Sequence, residues 1–443
     1  MEEIKYISDE SFFTFRKISG REEYRVKAHK DVSLPDSLEI PAYYKGLPVT
    51  AISDCGFEFS EIVNIKIPNT VTHIGKAAFS ECEKLESAIL SEKLDDIPDH
   101  LFYNCGKLRY VAMPKTTESI GEGAFDLCSS LLEIKIPYGV KSIWDEAFFL
   151  CSRIRSIELP ETLEHIGDSA FGFCLSLSEV INRSSLDITA GERYGGGVGR
   201  YAVEIHTGES RIKTQGDFLF YEAERGAFLI GYLGEDEKIT LPEDYRGNAY
   251  AVHRYAFHGK NIESAVIPDS VTEIGEGAFY SCPKLCEVTL PQTLKEISAS
   301  LFSGCWALES ISIPAGVTLI GNFAFGGCRK LSEISIPAGV KKIGKGAFSK
   351  TDIEKMILPE GIDEIDNMVF EQCKKLKSLT IPNGVKYIGA GAFLHCYKLN
   401  EIIFRGTMAE WNALETEWNT QTYSGRVRVV CRDGEITIDR RFA

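Results

Sequence analysis

The chain has 443 residues, of which 44% are apolar and 26% are charged, and its net charge is −15. This composition is typical of a soluble globular protein, and the negative charge argues against an extended nucleic-acid footprint or binding to an anionic membrane surface. No run approaches the roughly 18 consecutive apolar residues of a spanning helix, and the N-terminus lacks the basic and apolar regions of a signal peptide.

Residues 1–39 are predicted to form an N-terminal β cap. Phe12–Phe15 and Tyr24–Val26 are short β-type runs joined by a polar turn, which indicates a hairpin. A longer unit, Ile40–Phe57, follows and opens a repeat array at residues 40–181. The regular units of this array begin 23 residues apart, at Ile67, Leu90, Met113, Ile136 and Leu159.

Residues 182–240 carry no repeat. The Gly191–Arg200 loop is predicted to be a flexible connector, with a partner-binding loop as the alternative. Asp217–Ala223 and Ala227–Leu233 predict a β-hairpin. A second array at residues 241–403 then repeats the plan of the first, beginning with its own longer unit at Leu241. Residues 404–443 are predicted to form a C-terminal cap of a short helix plus a β-hairpin.

Each repeat follows the pattern I-P-x-x-V-x-x-I-G-x-x-A-F-x-x-C-x-x-L-x-x-I, as in Ile67–Ile89. The alternation before I-P predicts a strand, and proline ends it because proline has no amide hydrogen to donate. The Ala-Phe-x-x-Cys segment predicts a single helical or 3₁₀ turn. No unit can bury its own apolar face, so the units are expected to stack as coils about 4.8 Å apart with parallel strands.

Ten of the thirteen cysteines lie three residues after an aromatic residue, at the same place in successive repeats. This regular column is unlike a disulfide framework and contains no C-x-x-C pair. It predicts a row of small buried thiols that pack as apolar side chains. The column is Cys82, Cys105, Cys128, Cys151, Cys174, Cys282, Cys305, Cys328, Cys373 and Cys396.

The repeat motif resembles the BspA-like class of bacterial leucine-rich repeats over roughly residues 40–181 and 241–404. The resemblance implies an α/β, β-rich repeat solenoid: a right-handed leucine-rich repeat solenoid with a parallel concave sheet, β-hairpin caps and a mid-chain β-hairpin insert. Members of that class are mostly secreted or cell-surface proteins implicated in adhesion to host proteins or other microbes. The resemblance therefore implies a non-catalytic protein-binding role, plausible in bacterial surface adhesion or host interaction.

The strand face of the array is the predicted binding surface. Two columns of side chains are expected to be exposed there, one running from Lys66 to Ile181 in the first array and the other from Asn64 to Glu179. Most of these side chains are small, β-branched or acidic, and few are of the types that dominate interface energies. The candidate binding residues are Ile89, Arg109, Tyr110, Lys135, Arg155 and Glu158.

No cofactor, metal site or catalytic group is predicted. The eight histidines have no ligand spacing, and no nucleophile motif is present. Trp411 and Trp418 are assigned to the cap in preference to a carbohydrate platform. A protein ligand is the predicted partner, without nucleic acid or membrane insertion, and the oligomeric state is left open. The alternatives are an intracellular interaction scaffold and a carbohydrate- or peptidoglycan-binding module.

Overall fold

The computed structural model describes residues 4–417 and 425–440, and Trp418 therefore lies outside the described residues. The chain divides into two compact units, Met1–Arg211 and Ile212–Ala443. Each unit is a stack of coils made almost entirely of short strands and turns. The predicted β-rich leucine-rich repeat solenoid is confirmed in both units.

The first unit begins with a 3₁₀ turn at Glu10–Phe12 and contains sixteen described strands. They are β1 Phe13–Lys17, β2 Tyr24–Ala28, β3 Ser37–Glu39, β4 Tyr43–Tyr44, β5 Leu47–Ile52, β6 Asn64–Lys66, β7 His73–Ile74, β8 Ser87–Ile89, β9 Asp96–Ile97, β10 Tyr110–Ala112, β11 Ser119–Ile120, β12 Ser142–Ile143, β13 Ser156–Leu159, β14 His165–Ile166, β15 Glu179–Asn182 and β16 Glu204–His206.

The second unit contains twenty-one described strands and one helix, α1, at Met408–Asn412. The strands are β17 Ile212–Gln215, β18 Phe218–Ala223, β19 Gly226–Tyr232, β20 Lys238–Thr240, β21 Tyr250–Val252, β22 Ser264–Val266, β23 Val271–Ile274, β24 Glu287–Thr289, β25 Glu296–Ile297, β26 Ser310–Ser312, β27 Leu319–Ile320, β28 Glu333–Ser335, β29 Lys342–Ile343, β30 Lys355–Ile357, β31 Glu364–Ile365, β32 Ser378–Ile381, β33 Tyr387–Ile388, β34 Glu401–Phe404, β35 Glu415–Thr416, β36 Gly425–Cys431 and β37 Gly434–Arg440.

Most regular coils contribute two short strands to two parallel ladders. The strand before I-P forms the first ladder, as in the order β3-β6-β8-β10, and the strand before the next glycine forms the second, as in β9-β11-β12-β14. The register is one coil per step, so that Ile65 lies opposite Ala88 and Ile120 opposite Ile143. We call the outer side of the first ladder the strand face.

Both units begin in the same way. An antiparallel hairpin, β1–β2 in the first unit and β18–β19 in the second, lays its second strand parallel to the next strand of the stack, β5 or β21. The hairpin thereby covers the edge of the first coil, which would otherwise expose unpaired backbone groups. The two similar halves visible in the sequence thus correspond to one repeated plan.

The Ala-Phe segments are hydrogen-bonded turns without a helix. In each, backbone N–H groups donate to the next coil, for example Phe79 N to Leu101 O at 3.0 Å. The residue before the alanine position adopts a left-handed conformation, as at Ala77 before Ala78 and at His100 before Leu101, both with φ of 54°. The left-handed residues allow the chain to turn while its backbone N–H groups keep their hydrogen bonds to the next coil.

The core consists of repeated columns. Phenylalanine rings stack from Phe57 to Phe171 in the first unit and from Phe257 to Phe393 in the second, with centroids 4.8–6.0 Å apart. Each thiol of the cysteine column donates to the carbonyl of the aromatic residue in an earlier coil, as Cys151 Sγ does to Phe125 O at 3.1 Å. The thiols are therefore buried donors, and desolvation raises the pKa of Cys282 to about 12.

The second half of the Gly191–Arg200 loop packs against the last regular coil, whereas residues 191–194 are exposed. Gly196 accepts a hydrogen bond from Phe171 N at 2.8 Å, which is the place that an alanine carbonyl occupies between regular coils. A Cβ at Gly196 would lie 2.5 Å from Ile166 Cγ2, and Val198 is fully buried. Only a glycine with positive φ fits so close to the preceding coil, so the loop covers the end of the first array.

The helix α1 lies after the last regular coil of the second unit. Thr407 caps it, with Glu410 completing a capping box. Trp411 is buried at 7% exposure, and its ring lies edge-on to Phe404 with centroids 5.4 Å apart. Trp411 is therefore a core residue and offers no open surface to a ligand.

Candidate functional site

The candidate site is the strand face of the first unit. Alternate residues of each short strand point into the core, and these include Ala88, Val111 and Ile157. The residues between them point outward, so their identity is free of the packing constraint that fixes the buried columns. Chemical character specific to this protein can therefore vary on this face.

Ile89, Arg109 and Tyr110 lie together at the strands β8 and β10. Tyr110 pairs with Ser87 and Ala112 pairs with Ile89, so Ile89 and Tyr110 are diagonal neighbours on one face. Tyr110 is 57% exposed and Ile89 is 37% exposed. Arg109 directly precedes Tyr110 and is also exposed. We call these three residues the Tyr110 patch.

Lys135 and Glu158 lie beside each other in an open groove of about 590 Å³ that Glu133, Tyr138 and Ser156 also line. Glu158 forms an ion pair with Arg183, so its charge is already matched within the unit. Of the predicted site residues in this groove, Lys135 is thus the one with a charge to offer a ligand.

Arg155 is half-buried, unlike the exposed Arg109. Desolvation lowers the pKa of its guanidinium, the nearby Arg153 lowers it further, and Glu133 offsets part of both effects. A cation held in this way gains from an anionic neighbour because the neighbour would offset both effects.

The first ladder is interrupted among the candidate residues. Glu133–Ile136 forms no strand, and in the described part of the first unit its backbone makes no hydrogen bond to the coil on either side. Tyr110 therefore lies on the last strand of one sheet, Arg155 precedes the first strand of the next, and Lys135 lies between them. Five of the six predicted residues thus lie on the two sides of this interruption, and Lys135 lies within it.

The prediction that both outward columns are exposed is wrong at Glu179 and Ile181. Glu179 is fully buried, and its carboxylate accepts hydrogen bonds of 2.7 Å from Ser156 Oγ, Ser210 Oγ and Arg211 N. Ile181 is only 6% exposed. The covering segment comes from beyond the last repeat, so the repeat periodicity does not predict it.

A second groove lies beside the second ladder and was not predicted from the sequence. It has a volume of about 500 Å³ and is lined by Trp144 together with His73, Asp95, Asp96 and Asp99. Trp144 is 47% exposed. An exposed indole beside carboxylates can stack on an apolar ring face and accept hydrogen bonds at its edge.

Trp144 occupies a repeat position at which glycine alternates with a larger residue from one coil to the next. Its column in the first unit reads Ser53, Gly75, Pro98, Gly121, Trp144 and Gly167. A Cβ at the glycines would lie within 2.6 Å of an aspartate of the preceding coil, as Gly121 would against Asp99 N. Asp99 Oδ1 in turn accepts a hydrogen bond from Glu122 N at 3.2 Å. Two successive coils thus form one structural pair.

The described residues contain neither a cluster of metal-ligating side chains nor a membrane-spanning helix. At positions 4–417 and 425–440, no group of three or more His, Cys, Asp or Glu side chains is placed to hold a metal ion. Within the same ranges, no helix is long and apolar enough to cross a membrane.

Comparison with known proteins identifies the repeats. The model of the BspA type leucine-rich repeat region matches residues 50–188, 250–319 and 296–414, with six copies. The chain belongs to the BspA-type leucine-rich repeat family. Comparison with curated protein sequences finds no match to this chain.

Several solved structures resemble this BspA-type protein. A leucine-rich cell surface protein from Faecalibacterium prausnitzii is 23% identical, with 94% of this chain and 98% of that chain covered and a TM-score of 0.36. The leucine-rich repeat protein of T. pallidum is 30% identical over 42% of this chain and 90% of its own, with a TM-score of 0.39. A leucine-rich repeat protein from Bacteroides ovatus is 22% identical over 94% and 100%, with a TM-score of 0.33.

Membership of the BspA-type family assigns the repeated Phe, Cys, Ile and Leu columns to the scaffold. The residues that distinguish this member are those at the variable positions of the motif, such as Tyr110, and those that replace a motif residue, such as Trp144. The search for a ligand site is thereby confined to the outward positions.

Proposed function

We propose that the protein is a non-catalytic protein-binding repeat protein that contacts its ligand through the Tyr110 patch. The observation that carries the proposal is the exposure of Tyr110 at 57% directly beside the exposed Ile89. A tyrosine offers a large contact area at a small entropic cost, and it is enriched among residues that dominate interface energies.

The surroundings of the patch support the same proposal. Arg109 and Lys135 add exposed cations next to the apolar contact area, and arginine is also enriched at interfaces. A stack of coils also presents an extended surface that suits a protein better than a small molecule. The groove beside Lys135 and Glu158 extends this surface by one or two coils.

At a finer level, we propose that the ligand is a protein on the surface of another cell or in its matrix. The BspA-type repeats support this proposal, since the resemblance to that class implies adhesion to host proteins or to other microbes. An intracellular partner is the competing outcome, and the experiment below distinguishes the two.

The test is binding of the full chain to two sets of immobilised probes: purified extracellular matrix proteins and a cytosolic protein extract. We expect at least one matrix protein to bind, and Tyr110→Ala to weaken that binding by at least about 30-fold, as for a dominant interface residue. Tyr397→Ala is the matched control, since Tyr397 is similarly exposed at 48% but lies in the second unit.

Binding that is unchanged in Tyr110→Ala would refute the use of this patch. Binding to cytosolic proteins alone would leave a protein-binding role and would remove the adhesive one. Thermal unfolding of both variants is measured alongside, so that loss of binding can be separated from loss of folding.

Carbohydrate binding is a second candidate, favoured by the groove at Trp144. The indole and the carboxylates of Asp95, Asp96 and Asp99 line one open surface. A glycan array probed with the full chain and with Trp144→Ala tests it. Signals that disappear in the variant would support carbohydrate binding, and an array without signal would dismiss it.

A further inference from the structure

Five basic side chains lie in or beside the Tyr110 patch. They lie on the strand face or at the turn that leads into it, and four of them are exposed while Arg155 is half-buried. Within the described residues of the chain, none of the five takes part in an ion pair. The five are Lys107, Arg109, Lys135, Arg153 and Arg155.

Most equivalent cations elsewhere in the chain are paired. Lys107 and Arg153 lie two residues after a column cysteine. Of the five other lysines at this position, four form an ion pair with an acidic residue of an earlier coil, and Lys398 forms none among the described residues. These pairs are Lys84–Glu61 at 3.1 Å, Lys284–Glu237 at 2.5 Å, Lys330–Glu309 at 3.2 Å and Lys375–Asp352 at 2.7 Å. The unpaired state at Lys107 and Arg153 is therefore not a general property of the repeat.

Few acidic side chains balance these five cations. Glu86 and Glu133 lie on the same face, and the third carboxylate, Glu158, is matched by Arg183. A local excess of positive charge therefore stands within a chain whose net charge is −15. Such a local field attracts an anionic ligand and steers its approach.

The spacing of the cations suits an extended ligand. Arg109 and Arg155 occupy the same repeat position two coils apart, as do Lys107 and Arg153, which places each pair about 10 Å apart at ordinary strand spacing. Side chains three residues apart on an extended chain span about the same length. Tyr110 and Ile89 lie beside this row and offer an apolar contact.

We infer that the ligand of the Tyr110 patch is an acidic, extended protein segment that carries at least one apolar or aromatic side chain. The inference rests on the proposed function and names the chemistry of the partner. A nucleic acid or a sulfated polysaccharide is disfavoured because its long charged chain would be repelled by the rest of the acidic surface.

The test is selection of a random peptide display library on the immobilised full chain, with elution at low and high salt. We expect the enriched peptides to be net negative, to contain apolar residues and to be released by salt. Immobilised heparin and single-stranded DNA are measured in parallel as the polyanion probes.

The decisive variant is Arg109→Glu combined with Lys135→Glu, since both side chains are exposed and unpaired among the described residues. We expect it to lower retention of the enriched peptides by about tenfold or more. The matched control is Lys84→Glu combined with Lys330→Glu, which reverses two exposed charges that already have partners and should change retention less than about twofold.

Three outcomes would overturn the inference in distinguishable ways. Enrichment of neutral or basic peptides whose retention depends on Tyr110 would refute the acidic ligand and leave the proposed function standing. Enrichment without any dependence on Tyr110 would refute both. Retention of heparin or DNA that the decisive variant abolishes, without enrichment of acidic peptides, would assign the patch to a polyanion instead.

Discussion

The strand faces of the two units differ although their interiors are alike. In the second unit, the column equivalent to Lys135 carries no charge from β22 to β34, and reads Val266, Thr289, Ser312, Ser335, Ile357, Thr380 and Ile403. In the first unit the same column contains Lys66, Lys135 and Glu158. One backbone plan thus supports charged residues in this column in one unit and only neutral residues in the other.

The difference shows where selection for binding can act. The stacked phenylalanines and the thiol donors are repeated with nearly constant geometry in both units, because each coil must match the coils above and below it. The outward residues need to match nothing except a ligand or water. Four experiments test how far this separation between scaffold and surface extends, in order of decreasing effect.

The largest effect is expected in the shared interior. Phe148→Ala in the first unit and Phe325→Ala in the second each remove a fully buried ring stacked between two neighbours. Each should lower the free energy of unfolding by about 3–5 kcal/mol, measured by chemical denaturation. A large cost in one unit with a neutral result in the other would contradict a common scaffold.

The next effect concerns one outward repeat position whose glutamate is buried in the first unit and partly exposed in the second. Glu179→Ala leaves the Ser156 and Ser210 hydroxyls and the Arg211 N–H without their acceptor, and should cost about 3 kcal/mol of unfolding free energy. Glu401→Ala removes the equivalent residue of the second unit, whose partly exposed ion pair with Arg428 should contribute less than about 1 kcal/mol. Equal costs would show that Glu179 is not enclosed.

A pH-dependent effect is expected at Asp126. Burial and the nearby Glu146 raise the pKa of this carboxyl to about 6. The native state therefore keeps its proton after the unfolded chain has lost it, so the stabilisation is complete below about pH 4 and is lost as the pH rises through about 6. Asp126→Asn keeps the neutral form at all pH values.

The unfolding free energy of Asp126→Asn should therefore rise relative to the wild type by up to about 2 kcal/mol between about pH 4 and pH 7. Urea unfolding at several pH values measures the difference. Glu371→Gln changes the equivalent position in the second unit and serves as the control. A difference between Asp126→Asn and wild type that is constant with pH would refute the raised pKa.

The smallest effect is expected from trimming one methylene on the strand face. Ile181→Val removes atoms that the segment after the first array covers, at 6% exposure, and should cost about 1 kcal/mol. Ile357→Val at the same repeat position is 61% exposed and should change the unfolding free energy by less than about 0.5 kcal/mol. A reversed order would contradict the burial described for this column.

The sequence was sufficient to predict the solenoid and its buried columns. A residue that recurs once per coil, such as Phe148 or Cys151, meets its own copies above and below, so its environment follows from the period alone. The hairpins and the two similar halves could also be predicted, since their strand patterns are local. The thiol hydrogen bonds to the phenylalanine carbonyls needed coordinates, because they depend on the path of the backbone.

Features that depend on residues outside the period were not predicted. Glu179 and Ile181 carry the outward pattern but are covered by the segment that follows β15. The Gly191–Arg200 loop resembles a linker, but its second half packs against the last regular coil. The interruption at Glu133–Ile136 has an intact motif, so no local signal marks it. The sequence therefore predicts which residues form the candidate site, and the structure adds their positions relative to one another on the strand face.

The alternation of glycine with larger residues beside the second ladder restricts how the number of coils in the first unit can change. Loss of a single coil from the first unit would bring Pro98 next to Trp144, or Gly121 next to Gly167, and would separate an aspartate from the glycine that leaves room for it. Loss or gain of two coils at once, 46 residues at the regular step of 23, would keep every such neighbour. Copy number in this array is therefore expected to change in even steps.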